Sequence, residues 1–365
     1  MWLIYMNRRS RVVCMTNEVI VAGGGFSGLG VALKLDRKGH DVTLVDEDGV
    51  HEFIPGIIDT IRGRKDEDVN LLELGDFLED TGVELREESV TRFVPEEDVV
   101  ETSKGRISYD DLVVALGGVT FEPFELGDGV EKFYKEEDAE RVASRLDPGD
   151  SVVGVGGGYV GVELAGELAE SDHDVTVVDA ATRPMSNSSD EVSRKVVDYM
   201  NDSGMSFRGD KRVEEAHEDM VIFEDGTSEE GDLVVWAGGI SASPVVQECF
   251  DCGRQGMPVN SGLASTEHSN VYGLGDCADT GQIKTAHNAM NQAGVVAENV
   301  DRSGSEELAQ LSEGKKIIDL SLGDTGLFIF GDSSYRNPVF RYLKDVVRLQ
   351  YFARIRVERL AAKYL

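Results

Sequence analysis

Two copies of one glycine-rich motif most strongly constrain how this chain of 365 residues can fold. In the first copy, the apolar segment 18–22 is followed at once by G-x-G-x-x-G, formed by Gly23, Gly25 and Gly28, and then by a helical pattern. A strand, a glycine turn and a helix in this order form half of a β-α-β unit. The glycines allow a tight turn, a close backbone approach to a pyrophosphate and close packing of the helix on the strand. The motif therefore predicts a dinucleotide-binding loop at a helix N-terminus.

A second copy of the motif lies more than 130 residues further on. Its glycines are Gly156, Gly158 and Gly161. In each copy the next strand-like segment ends in an acid, Asp46 or Asp179, 23 residues after the first glycine, where a carboxylate can bind ribose hydroxyls. Two complete copies predict two bound dinucleotides. A carboxylate at Asp179 would repel a 2′-phosphate, which favours NADH over NADPH, although the nearby Arg183 keeps NADPH open.

Further strand-like segments organise the chain around these two copies. RISYDDLVVALGG reaches Gly117 after the first copy, and EEGDLVVWAGGI reaches Gly239 after the second; each is typical of a strand that closes a nucleotide-binding domain. We therefore expect an α/β fold of two Rossmann-like dinucleotide-binding domains, with the second inserted into the first. The expected boundaries are 16–117 and 241–304 for the first domain, 118–240 for the second, and 305–365 for a C-terminal module.

The charge of the chain excludes one class of partner. Against 69 Asp and Glu residues there are only 36 Lys and Arg residues, so the formal net charge is −33. Nucleic-acid binding is excluded because it needs a basic surface, whereas the apolar fraction of 41% is that of a folded protein. Self-repulsion of this size is tolerated where concentrated salt screens it, so we interpret the chain as halophilic, of the haloarchaeal kind.

The four cysteines, Cys14, Cys249, Cys252 and Cys277, are too few for a disulfide scaffold and fit a reducing compartment. Cys249 and Cys252 form C-x-x-C, which fits a redox pair, half of a metal site, or two incidental thiols; we favour incidental thiols and predict no metal site. No apolar run is long enough to span a membrane, and the opening residues do not follow the order of a signal peptide. We therefore expect a cytoplasmic protein, with residues 1–14 as an extension before Met15.

The end of the chain predicts a basic amphipathic helix over 339–365. From residue 336 onward there are eight basic and two acidic residues. An apolar stripe at helical spacing comprises Tyr342, Val346, Leu349, Ala353, Val357, Leu360 and Tyr364. Basic residues gather elsewhere on the helix, namely Arg341, Lys344, Arg348, Arg356, Arg359 and Lys363. Such a helix is typical of an anionic membrane surface; docking on the acidic body of the same protein and a homodimer seam are the alternatives.

Seven segments in order, over about residues 17–300, resemble the type II NADH dehydrogenases within the flavoproteins that have two dinucleotide-binding domains. They are VAGGGFSGLG, HEFIPGIIDTIRG, DLVVALGG, GGGYVGVELAGEL, VVWAGGI, VYGLGDCAD and KTAHNAMNQAGVVAENV. The resemblance implies that the first glycine motif binds FAD and the second binds NADH. It further implies an NADH:quinone oxidoreductase of electron transport that pumps no protons and reduces a menaquinone-like membrane quinone from the inner face of the cell membrane.

The same resemblance suggests the residues of the flavin site. It implies that Gly275 and Asp276 contact FAD through its ribityl or pyrophosphate portion, and that Pro55 lies beside the isoalloxazine ring. Lys284, the first residue of the last segment, is a candidate to balance the negative charge of a reduced flavin, or else an ordinary surface residue.

Three further residues are candidates for the quinone region. Glu163 follows the second glycine motif, where a carboxylate at the first helical turn is already favoured by the helix dipole; the resemblance implies that it faces the nicotinamide and the quinone. In TAHNAMNQAG, Gln292 matches the last Gln of the quinone-site run of the family. His287 stands where the first Gln of that run would be, and an imidazole can also hydrogen-bond a quinone carbonyl.

Several relatives of this class stay open as alternatives. Disulfide reductases need a cysteine pair soon after the first motif, and residues 29–110 contain no cysteine, so that subgroup is excluded. A sulfide:quinone oxidoreductase, a reductase of a ferredoxin or rubredoxin, and a flavoprotein like apoptosis-inducing factor, whose NADH oxidation serves binding more than turnover, are the remaining alternatives.

Overall fold

The computed structural model describes residues 16–63, 69–302, 308–312 and 316–364, and every structural statement below concerns this part of the chain. The predicted N-terminal extension 1–14, with Cys14, lies outside the described residues. So does the side chain of Tyr364.

The strands and helices alternate in the order expected of β-α-β units. The strands are β1 (Glu18–Ala22), β2 (Asp41–Asp46), β3 (Val50–Glu52), β4 (Leu71–Glu73), β5 (Glu84–Glu87), β6 (Val90–Val94), β7 (Val99–Thr102), β8 (Gly105–Ser108), β9 (Asp111–Val114), β10 (Gly118–Thr120), β11 (Glu131–Lys132), β12 (Ser151–Val155), β13 (Asp174–Val178), β14 (Ser206–Arg208), β15 (Val213–Ala216), β16 (Met220–Phe223), β17 (Ser228–Glu230), β18 (Leu233–Trp236), β19 (Ile240–Ala242), β20 (Met257–Pro258), β21 (Val271–Gly273), β22 (Ala278–Asp279), β23 (Ile317–Leu322), β24 (Thr325–Phe330) and β25 (Ser333–Asn337). The α-helices are α1 (Phe26–Lys38), α2 (Ile58–Ile61), α3 (Leu74–Leu78), α4 (Glu136–Arg145), α5 (Tyr159–Glu170), α6 (Asp190–Asp202), α7 (Pro244–Cys249), α8 (Ala286–Asp301) and α9 (Leu343–Tyr364). Short 3-10 turns cover Ile54–Gly56, Pro95–Glu97, Gly275–Cys277 and Pro338–Tyr342.

Two five-stranded parallel sheets carry the glycine motifs. The first has the order β21-β9-β1-β2-β5, and the second has the order β11-β18-β12-β13-β14. In both sheets the central strand, β1 or β12, is the one that runs into a glycine loop. The inner strands β1, β9 and β18 are buried almost throughout, as in parallel sheets covered on both faces, which is why their sequences are largely apolar.

The second sheet is inserted between strands of the first. All five of its strands lie in the chain between β9 and β21, and β10 pairs with β19 where the chain leaves the first sheet and returns to it. Small antiparallel sheets, β6-β7-β8 and β15-β16-β17, accompany the first and the second unit respectively. This arrangement confirms the predicted fold class of two Rossmann-like units with a C-terminal helix.

The described part of the C-terminal segment packs into the cores of both units. Leu320 and Leu327, from the hairpin β23-β24, lie in the same hydrophobic core as Leu164 of α5. Tyr351 and Ile355 of α9 are buried in the core beneath the first sheet instead. The segment predicted as a separate module thus fastens to both units, because its apolar residues complete cores that the two sheets begin.

Candidate functional site

The first glycine loop has the geometry that its sequence predicts. Gly23 has a φ of +105°, and its N–H donates to the carbonyl of Val45, 2.8 Å away. A Cβ on Gly28 would lie 1.8 Å from the carbonyl oxygen of Gly23, so no side chain fits there. Gly25, the residue before α1, faces open space: a Cβ there would meet no atom within 4 Å. The loop is closed at its base and open at the helix N-terminus, where a pyrophosphate would bind.

Asp46 ties this loop to the end of the neighbouring strand. Its carboxylate accepts hydrogen bonds from the N–H of Gly24, at 2.6 Å, and of Gly49, at 3.1 Å. Burial raises the pKa of Asp46, and the two backbone donors oppose that rise. The acid therefore holds the loop in shape at the position from which a carboxylate reaches ribose hydroxyls.

The second glycine loop repeats the first nearly atom for atom. Gly156 has a φ of +113° and donates to the carbonyl of Val178 at 2.8 Å, and a Cβ on Gly161 would lie 1.9 Å from the Gly156 oxygen. Gly158 again faces open space. Asp179 accepts the N–H of the loop, here that of Gly157. Each loop therefore fits one dinucleotide, because its base excludes side chains and the N-terminus of its helix is open.

The strand ends that close each unit lie directly against these loops. A Cβ on Gly23 would contact the carbonyl oxygen of Ala115, just after β9, and one on Gly156 would contact that of Ala237, just after β18. Gly117 and Gly239 follow with φ values of +67° and +109°. The sequence predicted both glycines at the ends of strands that close a nucleotide-binding domain, and the structure brings them to the edge of the sheet where the loops lie.

A third cluster, around Asp276, lies at the end of β21. The Asp276 carboxylate accepts a hydrogen bond from the hydroxyl of Tyr134 at 3.3 Å, and burial raises its pKa. The ammonium of Lys284 donates to the backbone oxygens of Asp276 and of Gln255, the latter at 3.0 Å. Burial lowers the pKa of Lys284, against the pull of Asp276. Asp276 and Lys284, which were both predicted as residues of the flavin site, therefore lie together in one half-buried cluster.

Gln292 reaches the same cluster, whereas His287 does not. The side-chain oxygen of Gln292 accepts the N–H of Gly275 at 2.8 Å, and its amide donates to the hydroxyl of Thr280 at 3.3 Å. Gln292 is buried and lines a shallow pocket with Asp276 and Lys284. His287 is exposed on α8, where its ring bonds Asn291 at 3.0 Å. Pro55 is half-buried, in the 3-10 turn Ile54–Gly56.

Glu163 is held by the C-terminal segment. Its carboxylate accepts the N–H of Ser321 at 2.6 Å and pairs with the ammonium of Lys344 on α9 at 2.5 Å. Burial raises the pKa of Glu163, and the charge and hydrogen bond of Lys344 oppose that rise. Lys344 is a functional candidate that the sequence could not reveal as a partner, because it lies 181 residues from Glu163 and reads as one of several basic residues on a helix.

A buried histidine connects the first glycine loop to α9. His51 is fully buried; its Nδ1 lies 2.9 Å from the carbonyl oxygen of Gly24, and its Nε2 lies 2.8 Å from the hydroxyl of Tyr351. Because a carbonyl only accepts, the ring donates from Nδ1 and accepts the Tyr351 hydroxyl at Nε2. Burial lowers the pKa of His51 to about 4, so the ring is neutral. The sequence carried no signal for this contact beyond the HEFIP segment itself.

Four basic residues of α9 pair with carboxylates of the body, Arg354 and Arg356 remain exposed, and the apolar stripe turns outward. Besides Lys344, Arg348 pairs with Asp59 at 3.2 Å, and Arg359 and Lys363 both pair with Asp80. The outward stripe is well exposed, with exposed fractions from 53% to 71% for Tyr342, Val346, Leu349, Val357 and Leu360. In the part of the chain that the structure describes, no helix is long and apolar enough to cross a bilayer.

The cysteines are engaged in ordinary packing. Cys249 accepts the N–H of Phe93 at 3.3 Å, and the thiol of Cys252 lies 3.6 Å from the carbonyl of Val246. Both are free thiols, and burial raises the pKa of each. Nucleophilic thiols need the opposite shift. Among the described residues, no group of three or more His, Cys, Asp or Glu side chains is placed to hold a metal ion.

Two matched dinucleotide loops on two parallel sheets define a class, that of the flavoproteins with one FAD-binding and one NAD(P)H-binding unit. Within this class, a family model described as pyridine nucleotide-disulphide oxidoreductase matches residues 17–293. The chain belongs to that family. Its enzyme class, an FAD-dependent NAD(P)H oxidoreductase with FAD and NADH as cofactors, is thereby confirmed.

Individual proteins of known structure or activity also resemble the chain. The type II NADH:quinone oxidoreductase of Staphylococcus aureus is 25% identical over 362 residues, which cover 86% of this chain and 90% of that protein. Among solved structures, the sulfide:quinone oxidoreductase of Aquifex aeolicus has a TM-score of 0.83 at 18% identity, covering 94% of this chain and 92% of that one. NDH2 of Plasmodium falciparum in complex with NADH has a TM-score of 0.82 at 13% identity, covering 96% and 98%. The two structures share the fold with this chain.

Proposed function

We propose that this protein is an NADH:quinone oxidoreductase that takes electrons from NADH and delivers them to a membrane quinone. The observation that carries the proposal is the pair of matched glycine loops in a chain whose relative of nearly full length is a type II NADH:quinone oxidoreductase. FAD, when bound, accepts hydride from NADH and passes two electrons to the quinone. The protein supplies position and electrostatics, and no protein nucleophile is required.

The FAD-binding residues that we propose surround the first loop. They are Gly23, Gly25, Gly28, Asp46, Pro55, Gly117, Gly275 and Asp276. The NADH-binding residues surround the second loop. They are Gly156, Gly158, Gly161, Asp179 and Gly239. We propose domain boundaries at 16–117 with 241–304, at 118–240, and at 305–365, which place each set on its own sheet.

The catalytic residues that we propose are Glu163, His287 and Gln292 in the quinone region, and Lys284 beside the reduced flavin. Lys284 and Gln292 are supported by their hydrogen bonds to the backbone of Asp276 and of Gly275 respectively. Glu163 is supported by its burial against Lys344, since a buried carboxylate with a raised pKa is a typical acid or base group. His287 is exposed, so it would meet the quinone only at the protein surface.

Stopped-flow mixing of the yellow protein in molar salt, first with NADH and then with a short-chain menaquinone, tests the function. Rapid bleaching of the flavin absorbance followed by equally rapid recovery supports it. A long-lived reduced protein that the quinone does not reoxidise contradicts it, and indicates a flavoprotein that uses NADH for binding or that reduces an electron-transfer protein.

Two cysteine variants distinguish the proposed function from that of a sulfide:quinone oxidoreductase. Cys249→Ser and Cys252→Ser would abolish a reaction that depends on flavin-facing cysteines, and they leave NADH:quinone activity intact in our proposal. The raised thiol pKa values of both residues support the second outcome.

We also propose that the protein works as a peripheral protein on the inner face of the cell membrane, held by the outward stripe of α9. Because four basic residues of α9 pair with carboxylates of the body, the outward apolar stripe supplies most of the membrane contact. Flotation with anionic lipid vesicles in molar salt checks this. Leu349→Glu should release the protein, whereas Gln350→Glu, the same charge one residue further, should not. Loss of a homodimer in Leu349→Glu, with vesicle binding unchanged, indicates a dimer seam instead.

A further inference from the structure

A second buried acid stands beside Glu163 and has no hydrogen-bond partner. Both carboxylate oxygens of Asp319, on β23, are buried, and within the described part of the chain neither accepts a hydrogen bond. Buried polar groups are almost always satisfied, so an unsatisfied buried carboxylate calls for an explanation. Nothing in the sequence distinguished Asp319 from the many other acids of the chain.

The geometry of β23 directs Asp319 toward Glu163. Side chains two residues apart lie on the same face of a strand, and Ser321 on that face contacts α5: its N–H donates to Glu163 at 2.6 Å and its hydroxyl donates to Glu167 at 2.8 Å. Asp319 is therefore on the α5 side of the strand. There it is influenced by the charges of Lys344 and Glu163.

The charges around this cluster do not balance. Lys344 pairs with Glu163, while the neighbouring acids Glu167 and Asp59 already pair with cations, Arg62 and Arg348 respectively. Within the described residues, the charged groups near the cluster thus include Asp59 on α2, Arg62 just after it, Glu167 on α5 and Arg348 on α9. The positive charge of Lys344, which pairs with Glu163, thus acts on two carboxylates, Glu163 and Asp319. Two buried like charges resist joint ionisation, so the pair holds one proton near neutral pH.

We propose that Asp319 is a proton-holding residue that acts through Glu163 and supplies the proton consumed in quinone reduction. This inference rests on the proposed function. The overall reaction, NADH + H⁺ + quinone → NAD⁺ + quinol, moves one hydride and takes up one further proton. That proton leaves the pair of Asp319 and Glu163 for a quinone oxygen, and solvent then restores it. Burial, together with the charge of Glu163 and against that of Lys344, raises the pKa of Asp319 to about 7, which matches an acid that works at neutral pH.

The test compares two half-reactions in stopped flow across pH 5.5–8.5 in molar salt. Reduction by NADH takes up no proton, so Asp319→Asn should leave its rate within about twofold of the wild-type value. In the wild-type protein, the rate of reoxidation by a short-chain quinone should have an inflection near neutral pH and should fall about tenfold per pH unit above it. In Asp319→Asn this inflection should vanish, and the reoxidation rate at pH 6 should be at most about one tenth of the wild-type rate.

Two further variants keep the inference open to refutation. Asp324→Asn removes the same charge from the exposed turn of the same hairpin and should keep the wild-type profile. Asp319→Glu restores a carboxyl and should restore the inflection. An unchanged inflection in Asp319→Asn, or equal loss of both half-reactions, overturns the role of Asp319. If wild-type reduced protein is not reoxidised by quinone at any pH, the proposed function itself fails and the inference fails with it.

Discussion

The hydrogen bond between Tyr351 and His51 makes a sharp prediction about stability. Tyr351→Phe keeps the ring that packs against Phe26, at 4.8 Å between ring centroids, and against Phe53, at 5.7 Å, but removes the hydroxyl. The Nε2 atom of His51 is then buried without a partner. A buried acceptor left unsatisfied costs about 1–3 kcal/mol, and we expect this loss in the free energy of unfolding.

The assay is urea unfolding of the FAD-loaded protein in molar salt, followed by circular dichroism. Tyr342→Phe is the matched control, because Tyr342 is 57% exposed and its hydroxyl meets solvent; its effect should stay within about 0.5 kcal/mol. In a His51→Leu background the hydroxyl of Tyr351 itself has no partner, so Tyr351→Phe should be neutral or stabilising there. An equal cost of Tyr351→Phe in both backgrounds, or a cost no larger than that of Tyr342→Phe, would refute the reasoning.

Three other predictions follow from the same geometry. Gly161→Ala places a Cβ 1.9 Å from the carbonyl oxygen of Gly156, so the variant should keep its yellow colour but lose flavin bleaching by NADH; a normal rate of bleaching would contradict the assignment of this loop. Burial lowers the pKa of His51 from 6.5 to about 4, so near pH 5 the unfolded chain binds a proton at this residue and the folded protein does not. The stability that the neutral ring contributes should therefore be complete above pH 6.5, and the free energy of unfolding should fall by about 2 kcal/mol between pH 7.5 and 5. The urea midpoint should accordingly drop more over this range for the wild type than for His51→Leu. Cys249 and Cys252 should alkylate slowly in the folded protein because burial raises the pKa of each thiol; rapid labelling with iodoacetamide at pH 7 would show that they are reactive.

The sequence by itself determined the two dinucleotide loops in detail. Segment 18–22 is the strand it was predicted to be, and the acids at Asp46 and Asp179 do lie beside their loops. These features could be predicted because they are local: turn, close approach and acid fall within 23 residues, and a left-handed φ or a forbidden Cβ demands glycine in the sequence itself. The insertion of one unit into the other followed from the order of the same local signals.

Only the tertiary structure decided what the C-terminal helix does. A period of 3.6 residues predicted the stripe and the basic residues of α9, but not which side meets the body. That choice depends on Glu163, Asp59 and Asp80, which come from three separate segments and acquire a common surface only when the chain folds. The contact between His51 and Tyr351 joins residues 300 positions apart. Such pairs leave no trace in local pattern, because each residue type is ordinary where it stands and only packing brings the two together.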